Sequence, residues 1–204
     1  MRRVSWGLSA PQYHLDIKRA HSYLPRRWPL VRQTVTNTAV NGCALAPGDP
    51  LMSLRELVSV EHVACRYIAT SKKQLLQHLA EQAAALCDVP SRVILDAIMK
   101  REKLGNTGIG GGAAIPHALV DGIDDDVVLI ATLSQPLAFD ASDRRDVDVV
   151  CMVLGAQGAT ARHLTTVAMA SRMLKGQCEM MRAATTNDEL LTAVDLPTQD
   201  NVAA

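Results

Sequence analysis

Two stretches limit most strongly what this chain can fold into: Val127–Leu133 (VVLIATL) and Val147–Leu154 (VDVVCMVL). Both are apolar and rich in β-branched residues, and neither alternates with polar residues as a half-solvated strand does. They read as buried strands, the first followed by Gln135-Pro136 and the second stopped by Gly155. Asp148 interrupts the second run. A charge among buried residues needs a partner, so Asp148 either orients a histidine by hydrogen bond or lies at the strand end near solvent.

Helical patterns accompany these strands. Ser53-Leu54-Arg55-Glu56 has capping-box spacing and predicts a short helix. Val63 to Ile68 reads as a short strand. A second capping box, Ser71-Lys72-Lys73-Gln74, precedes Leu75, Leu76, Leu79, Ala83 and Leu86 at helical spacing. Pro90 and Ser91 open a third helix with Val93, Ile94, Ala97 and Ile98 on one face, ending near Leu104 with Gly105 at the position after the cap. Ala113–Ile115 is extended and cut by Pro116. Thr160 caps a helix to about Leu174, ended by Lys175-Gly176, and Asn187 to Val194 is a last helical piece. Helices and strands mixed over about 150 residues imply an α/β layered domain.

Composition sets further limits. Aromatics are 3% of residues, so the core must be built from Ala, Leu, Val, Ile and Met. Residues 1–50 hold both tryptophans, five of the nine prolines, and seven basic against two acidic residues, whereas 51–204 carry 14 basic and 19 acidic. The first 50 residues read as an appendage, disordered in isolation or lying upstream of a natural start at Met52. Residues 51–195 read as the domain and 196–204 as a polar tail. A net charge of zero with no Lys/Arg block excludes the surface a nucleic-acid binder needs. Five scattered cysteines without a C-x-x-C pair suggest reduced thiols in the cytoplasm, not a disulfide framework or a zinc site. No apolar run reaches the length of a membrane span.

The stretch Gly105–Gly112 (GNTGIGGG) carries five glycines and leads through Ala113-Ala114-Ile115-Pro116 to a lone histidine, His117. Gly108–Ala113 matches G-x-G-x-x-G/A on letters, but a dinucleotide loop follows a strand and opens a helix. Here a helix precedes and Pro116 makes the exit extended. A P-loop is excluded as well, because no lysine lies between Lys103 and Lys175. Two readings remain: a flexible turn with a bystander histidine, or bare backbone that keeps the approach to His117 uncluttered, so that an exposed imidazole acts as a phosphate-accepting nucleophile.

The strings Arg101-Glu102-Lys103-Leu104-Gly105, Thr107-Gly108-Ile109-Gly110 and Ala114-Ile115-Pro116-His117, in that order, resemble the IIA domains of the phosphoenolpyruvate phosphotransferase system. The branch is the mannitol/fructose type, closest to its nitrogen-regulatory members, and the similarity extends over about residues 51–195. The resemblance implies an α/β sandwich with a mixed central sheet flanked by helices. It implies that His117 accepts a phosphoryl group from a histidine-phosphorylated carrier protein. It also implies that Arg101 and His163, the latter at the start of a later helix, support the phosphohistidine. No metal or cofactor is implied. Ala118 stands where the nitrogen-regulatory members carry glycine and looks more like the fructose type, and Asp124-Asp125-Asp126 is unusually acidic. These two departures bear on the choice between a regulatory and a sugar-transport role.

Physical chemistry agrees with this assignment. Phosphoryl transfer needs an in-line nucleophile and positive charge around the phosphoryl oxygens. A neutral imidazole supplies the first; an arginine fork and a helix N-terminus supply the second. Read this way, the chain is a phosphoryl carrier, not a turnover enzyme. Its phosphorylation state would regulate partners such as transporters or sensor kinases. The alternatives are the IIA component of a sugar permease, and an interaction module whose histidine is unused.

Overall fold

The computed structural model describes residues 54–195, and the two apolar runs form the centre of its sheet. β5 (Val127–Leu137) and β6 (Val147–Ala156) pair antiparallel, with Val128 opposite Val153 and Ala131 opposite Val150. β1 (Val63–Tyr67) lies parallel to β5. On the other side of β6 lie β3 (Ala113–Ala114) and β4 (His117–Val120), both parallel to it, and β2 (Gly108–Gly110) closes the edge antiparallel to β3. Among the described residues the sheet therefore has six strands and is mixed, in the order β1-β5-β6-β3-β2 with β4 also on β6.

Helices cover both faces, as strands without a polar face require. α1 (Lys72–Cys87) and α2 (Ser91–Glu102) cover one face over Leu129, Ala131, Val150, Met152 and Leu154. α3 (Thr160–Ala183), α4 (Asn187–Asp195) and a 3-10 turn at Leu54–Leu57 cover the other over Val128, Ile130, Val149, Cys151 and Val153. From Val149 to Leu154 the side chains of β6 alternate strictly between the two layers. Phe139, the single phenylalanine, is fully buried in the α1/α2 layer, with Lys72 Nζ 4.6 Å from its ring centroid.

Several local expectations need correction. Both central strands run further than their apolar letters. β5 includes Pro136 because the register shifts between Thr132 and Leu137 and Ser134–Pro136 face solvent, so no ladder bond is asked of the proline. β6 continues through Gly155 because Leu119 of β4 pairs there. α3 passes straight through Lys175-Gly176. Ala170, Met173, Leu174, Gln177 and Met181 are buried at helical spacing, and that packing outweighs the roughly 1 kcal/mol a mid-helix glycine costs. Thr160 is the first helical residue of α3 and not its cap; Ala159 holds the cap position without a side-chain bond. Gly105 does not take a left-handed cap; α2 instead tightens, with Leu104 N bonded to Arg101 O and Gly105 N to Glu102 O. Val93 is exposed, and only Ile94 and Ile98 of its expected face are fully buried. Ser71 caps α1 by accepting from Gln74 N, but Gln74 Oε1 reaches back to Thr70 N at 2.7 Å, one residue early. The proposed cap at Ser53 lies outside the described residues.

Candidate functional site

His117 owes its position to a break in a strand. β3 and β4 sit on β6 in one continuous register, and Pro116 O still accepts from Val153 N. Pro116 has no N–H, and Ile115 N turns away to Thr107 O. The Ile115 carbonyl is left facing the next side chain, and His117 Nδ1 lies 2.8 Å from it. A carbonyl only accepts, so Nδ1 carries the proton and Nε2 keeps its lone pair. Arg101, on the last turn of α2, reports the same tautomer independently: its Nε–H donates to His117 Nε2 at 3.2 Å, and Nη1 donates to Gly105 O at 3.0 Å.

α3 brings the second imidazole. His163 stands in its first turn, 4% exposed, with its ring centroid 5.8 Å from that of His117 and tilted by 47°. Gly155 makes room for it: a Cβ there would lie 2.5 Å from His163 Nδ1. Arg101, His117 and His163 thus converge in one open depression of about 550 Å³, whose wall also holds Lys100 and the exposed side chains of Leu104 and Leu164. The three candidate residues come from three different elements and meet in this depression.

The electrostatics favour neutral rings. Burial pushes the His117 pKa below its ordinary value, the Ile115 carbonyl opposes this, the Arg101 charge adds to it, and Glu102 offsets part of it. His163 is also lowered, first by burial, then by His117, with Asp126 opposing. His117 is half-buried, not the exposed imidazole expected.

One expectation about neighbouring residues fails, and one open choice is decided. The glycine run does not line the site. Gly110, Gly111 and Gly112 have φ of +86°, +65° and +78°, and they turn the hairpin between β2 and β3. That hairpin sits against Val149–Val150, while His117 lies further along β6 at Val153. Its tip instead meets Arg182, which donates to Gly111 O. Of the two readings left open for Asp148, the second holds: it lies at the start of β6 with its side chain part-exposed, and both its oxygens accept from Arg182 Nε at 2.9 Å.

Sequence reasoning missed two buried carboxylates beside the site. Glu102 accepts from Lys72 Nζ at 3.1 Å and from the Thr107 hydroxyl. Thr107 O in turn holds Ile115 N, so this cluster braces the loop that presents the His117 partner. Asp126 accepts from the Thr166 hydroxyl. The acidic triplet was the only sequence signal for Asp126, and nothing marked Glu102 apart from its place after Arg101. Among the described residues no group of three or more His, Cys, Asp or Glu is arranged to hold a metal ion, and no helix is long and apolar enough to cross a membrane.

Comparison with known proteins bears on the family and the fold. Residues 56–195 match the profile of a family described as the phosphoenolpyruvate-dependent sugar phosphotransferase system, EIIA 2. The chain is 34% identical over 148 residues to a nitrogen regulatory protein of Bradyrhizobium diazoefficiens, covering 72% of this chain and 97% of that one. It is 36% identical over 148 residues to the nitrogen regulatory protein of Escherichia coli K12, covering 70% and 89%. In fold it is similar to the nitrogen regulatory protein IIA-Ntr of Neisseria meningitidis, with a TM-score of 0.65 at 24% identity over 69% of this chain and 98% of that one. The mannitol IIA of Escherichia coli gives 0.58 at 18% identity over 67% and 98%. A profile match over most of the chain, relatives above 30% identity and a shared fold lead to one conclusion: the chain belongs to the type-2 EIIA family of the phosphoenolpyruvate-dependent sugar phosphotransferase system.

Proposed function

We propose that this protein carries a phosphoryl group on Nε2 of His117, received from a histidine-phosphorylated carrier protein, and that its phosphorylation state regulates partner proteins. One observation carries the choice of atom: the Nδ1–H of His117 is committed to the Ile115 carbonyl, which leaves the Nε2 lone pair at the mouth of the depression beside Arg101 and His163. In the transfer, the bond between phosphorus and the donor nitrogen breaks with its electron pair staying on the donor, and the Nε2 lone pair forms the new bond. The Nδ1 proton stays where it is, and the Ile115 carbonyl stabilises the positive charge the ring acquires. Arg101 gives up Nε2 as phosphorus arrives and turns its N–H groups to the phosphoryl oxygens. The first-turn N–H groups of α3 and the His163 ring stand on the other side.

The surroundings suit exchange between proteins. Leu104 and Leu164, 81% and 58% exposed, give the donor an apolar rim around the reacting nitrogen. A related fold, the mannitol IIA of Escherichia coli, is known in complex with phosphorylated IIB of the same system. The regulatory reading is favoured over a sugar-permease role because the relatives above 30% identity over most of their length bear the name nitrogen regulatory protein. The cytoplasm, where the carrier proteins of this system work, is the expected compartment. Incubation with phosphoenolpyruvate, the first enzyme of the system and its carrier tests the proposal by mass spectrometry. An acid-labile adduct of about 80 Da is expected on the wild type and none on His117→Ala. Equal labelling of the mutant would place the phosphoryl group elsewhere.

A further inference from the structure

The acidic triplet Asp124-Asp125-Asp126 has no part in the transfer as described, and its last member is the least solvated carboxylate near the site. The Asp126 side chain is 2% exposed. Its Oδ2 accepts from the Thr166 hydroxyl, while Oδ1 is buried without a hydrogen bond and lies 3.7 Å from Arg162 Nε. His163 Nδ1 is likewise buried without a hydrogen bond. An unsatisfied acceptor and an unsatisfied ring nitrogen, both buried, are costly apart and complementary together.

Two features place them against each other. His163 and Thr166 are three residues apart on α3, so their side chains share one face, and Thr166 already holds Asp126. In the sheet, Val127 pairs with Leu154, so the same register carried one residue further sets Asp126 across from Gly155. His163 Nδ1 lies directly over Gly155. Both orphaned atoms therefore border the same gap in the sheet, the one a missing Cβ leaves open.

We propose that Asp126 is a positioning residue for the phosphorylated state: its Oδ1 accepts a hydrogen bond from Nδ1–H of His163, directly or through one buried water, once His163 is an imidazolium beside phosphorylated His117. The proposal rests on His117 being the phosphoryl acceptor. Before phosphorylation, burial and the neighbouring His117 keep His163 neutral. A phosphoryl group then adds close to two negative charges beside it. His163 takes a proton from solvent; Nε2–H donates to a phosphoryl oxygen and Nδ1–H to Asp126. No bond to phosphorus forms or breaks in this step. The charged groups facing His163 are His117 on β4, Asp126 just before β5, Arg162 within its own helix turn, and Asp96, Lys100 and Arg101 on α2 across the depression. Asp125 engages Arg162 on the outside, at 2.9 Å.

The experiment is a pH titration of the His163 ring by nitrogen-15 NMR in the full chain, with and without phosphorylation. In the phosphorylated wild type at pH 7 both ring nitrogens of His163 should show protonated shifts; an unprotonated Nδ1 there overturns the proposal without any mutant. In the unphosphorylated protein, Asp126→Asn should leave a roughly tenfold smaller charged fraction of His163 at pH values above its midpoint, as loss of an opposing charge at this range does. Arg162→Ala should move the ring the opposite way. A purely structural role for Asp126 predicts another pattern: both substitutions loosen the first turn of α3, expose His163, and raise its charged fraction alike. A rise or no change in Asp126→Asn therefore also overturns the proposal. Because this arm needs no phosphoryl group, it separates failure of the Asp126 assignment from failure of His117 to be labelled.

Discussion

At the scale of single residues, the chemistry turns on which nitrogen of His117 holds its proton. Burial lowers the pKa of the ring, so the nucleophilic neutral form persists to lower pH than in a free imidazole. The labelling rate is expected to be flat through neutrality and to fall only below the ordinary imidazole midpoint of about 6.5; a fall that begins above that value would contradict the assigned burial. The same shift bears on stability. His117 and His163 both titrate lower in the folded protein than in the unfolded chain. Between the folded and unfolded midpoints the unfolded chain binds more protons, so stability rises with pH in that window and is lost as pH falls through it. A chemical-denaturation series from pH 7 to pH 5 should show this loss, and His163→Gln should flatten it. Arg101→Ala is expected to slow labelling by about a hundredfold, the scale of losing one charge-stabilising donor, with unchanged melting. Arg101→Lys should not restore it, since a lysine cannot bridge two oxygens with a planar fork.

At the scale of elements, Gly155 is the place where packing and site meet. Its φ is ordinary, so its need is for space and not for backbone freedom. Gly155→Ala sets a methyl 2.5 Å from His163 Nδ1 against a ring that is 4% exposed. The substitution should cost about 1–3 kcal/mol in thermal or chemical unfolding and slow labelling through displacement of His163. Unfolding unchanged within error would mean that α3 slides freely over β6. The elements also show where sequence signals fall short. Ser71 was legible as a cap because its chemistry is local. The true ends of α3 and β5 were not legible, because burial of Gln177 and Met181 and a register shift near Pro136 overrode the local stop signals. β2 and β4 went unread because glycine and a four-residue segment carry no periodicity. They exist as strands only because β6 and β3 offer them partners.

At the scale of the whole molecule, the site is an edge where three layers meet: α2 supplies Arg101, the sheet supplies His117, and α3 supplies His163. All three residues and both carboxylates behind them lie within residues 54–195. A chain trimmed to residues 51–195 is therefore expected to accept the phosphoryl group at the full-length rate, as followed by mass spectrometry; a rate lower by tenfold or more would give the first 50 residues a part in meeting the donor. The sequence by itself determined the buried strands, most of the helices and, through the strings around Arg101 and His117, the family. These are properties of local pattern and of residue chemistry. The tertiary structure decided which nitrogen of His117 carries the proton, that the glycine run turns a hairpin away from the site, that Asp148 serves Arg182, and that Asp126 and Glu102 stand behind Arg101, His117 and His163. The reason is physical: each of these depends on strand register and on contacts between residues dozens of positions apart, and no short-range pattern in a chain encodes them.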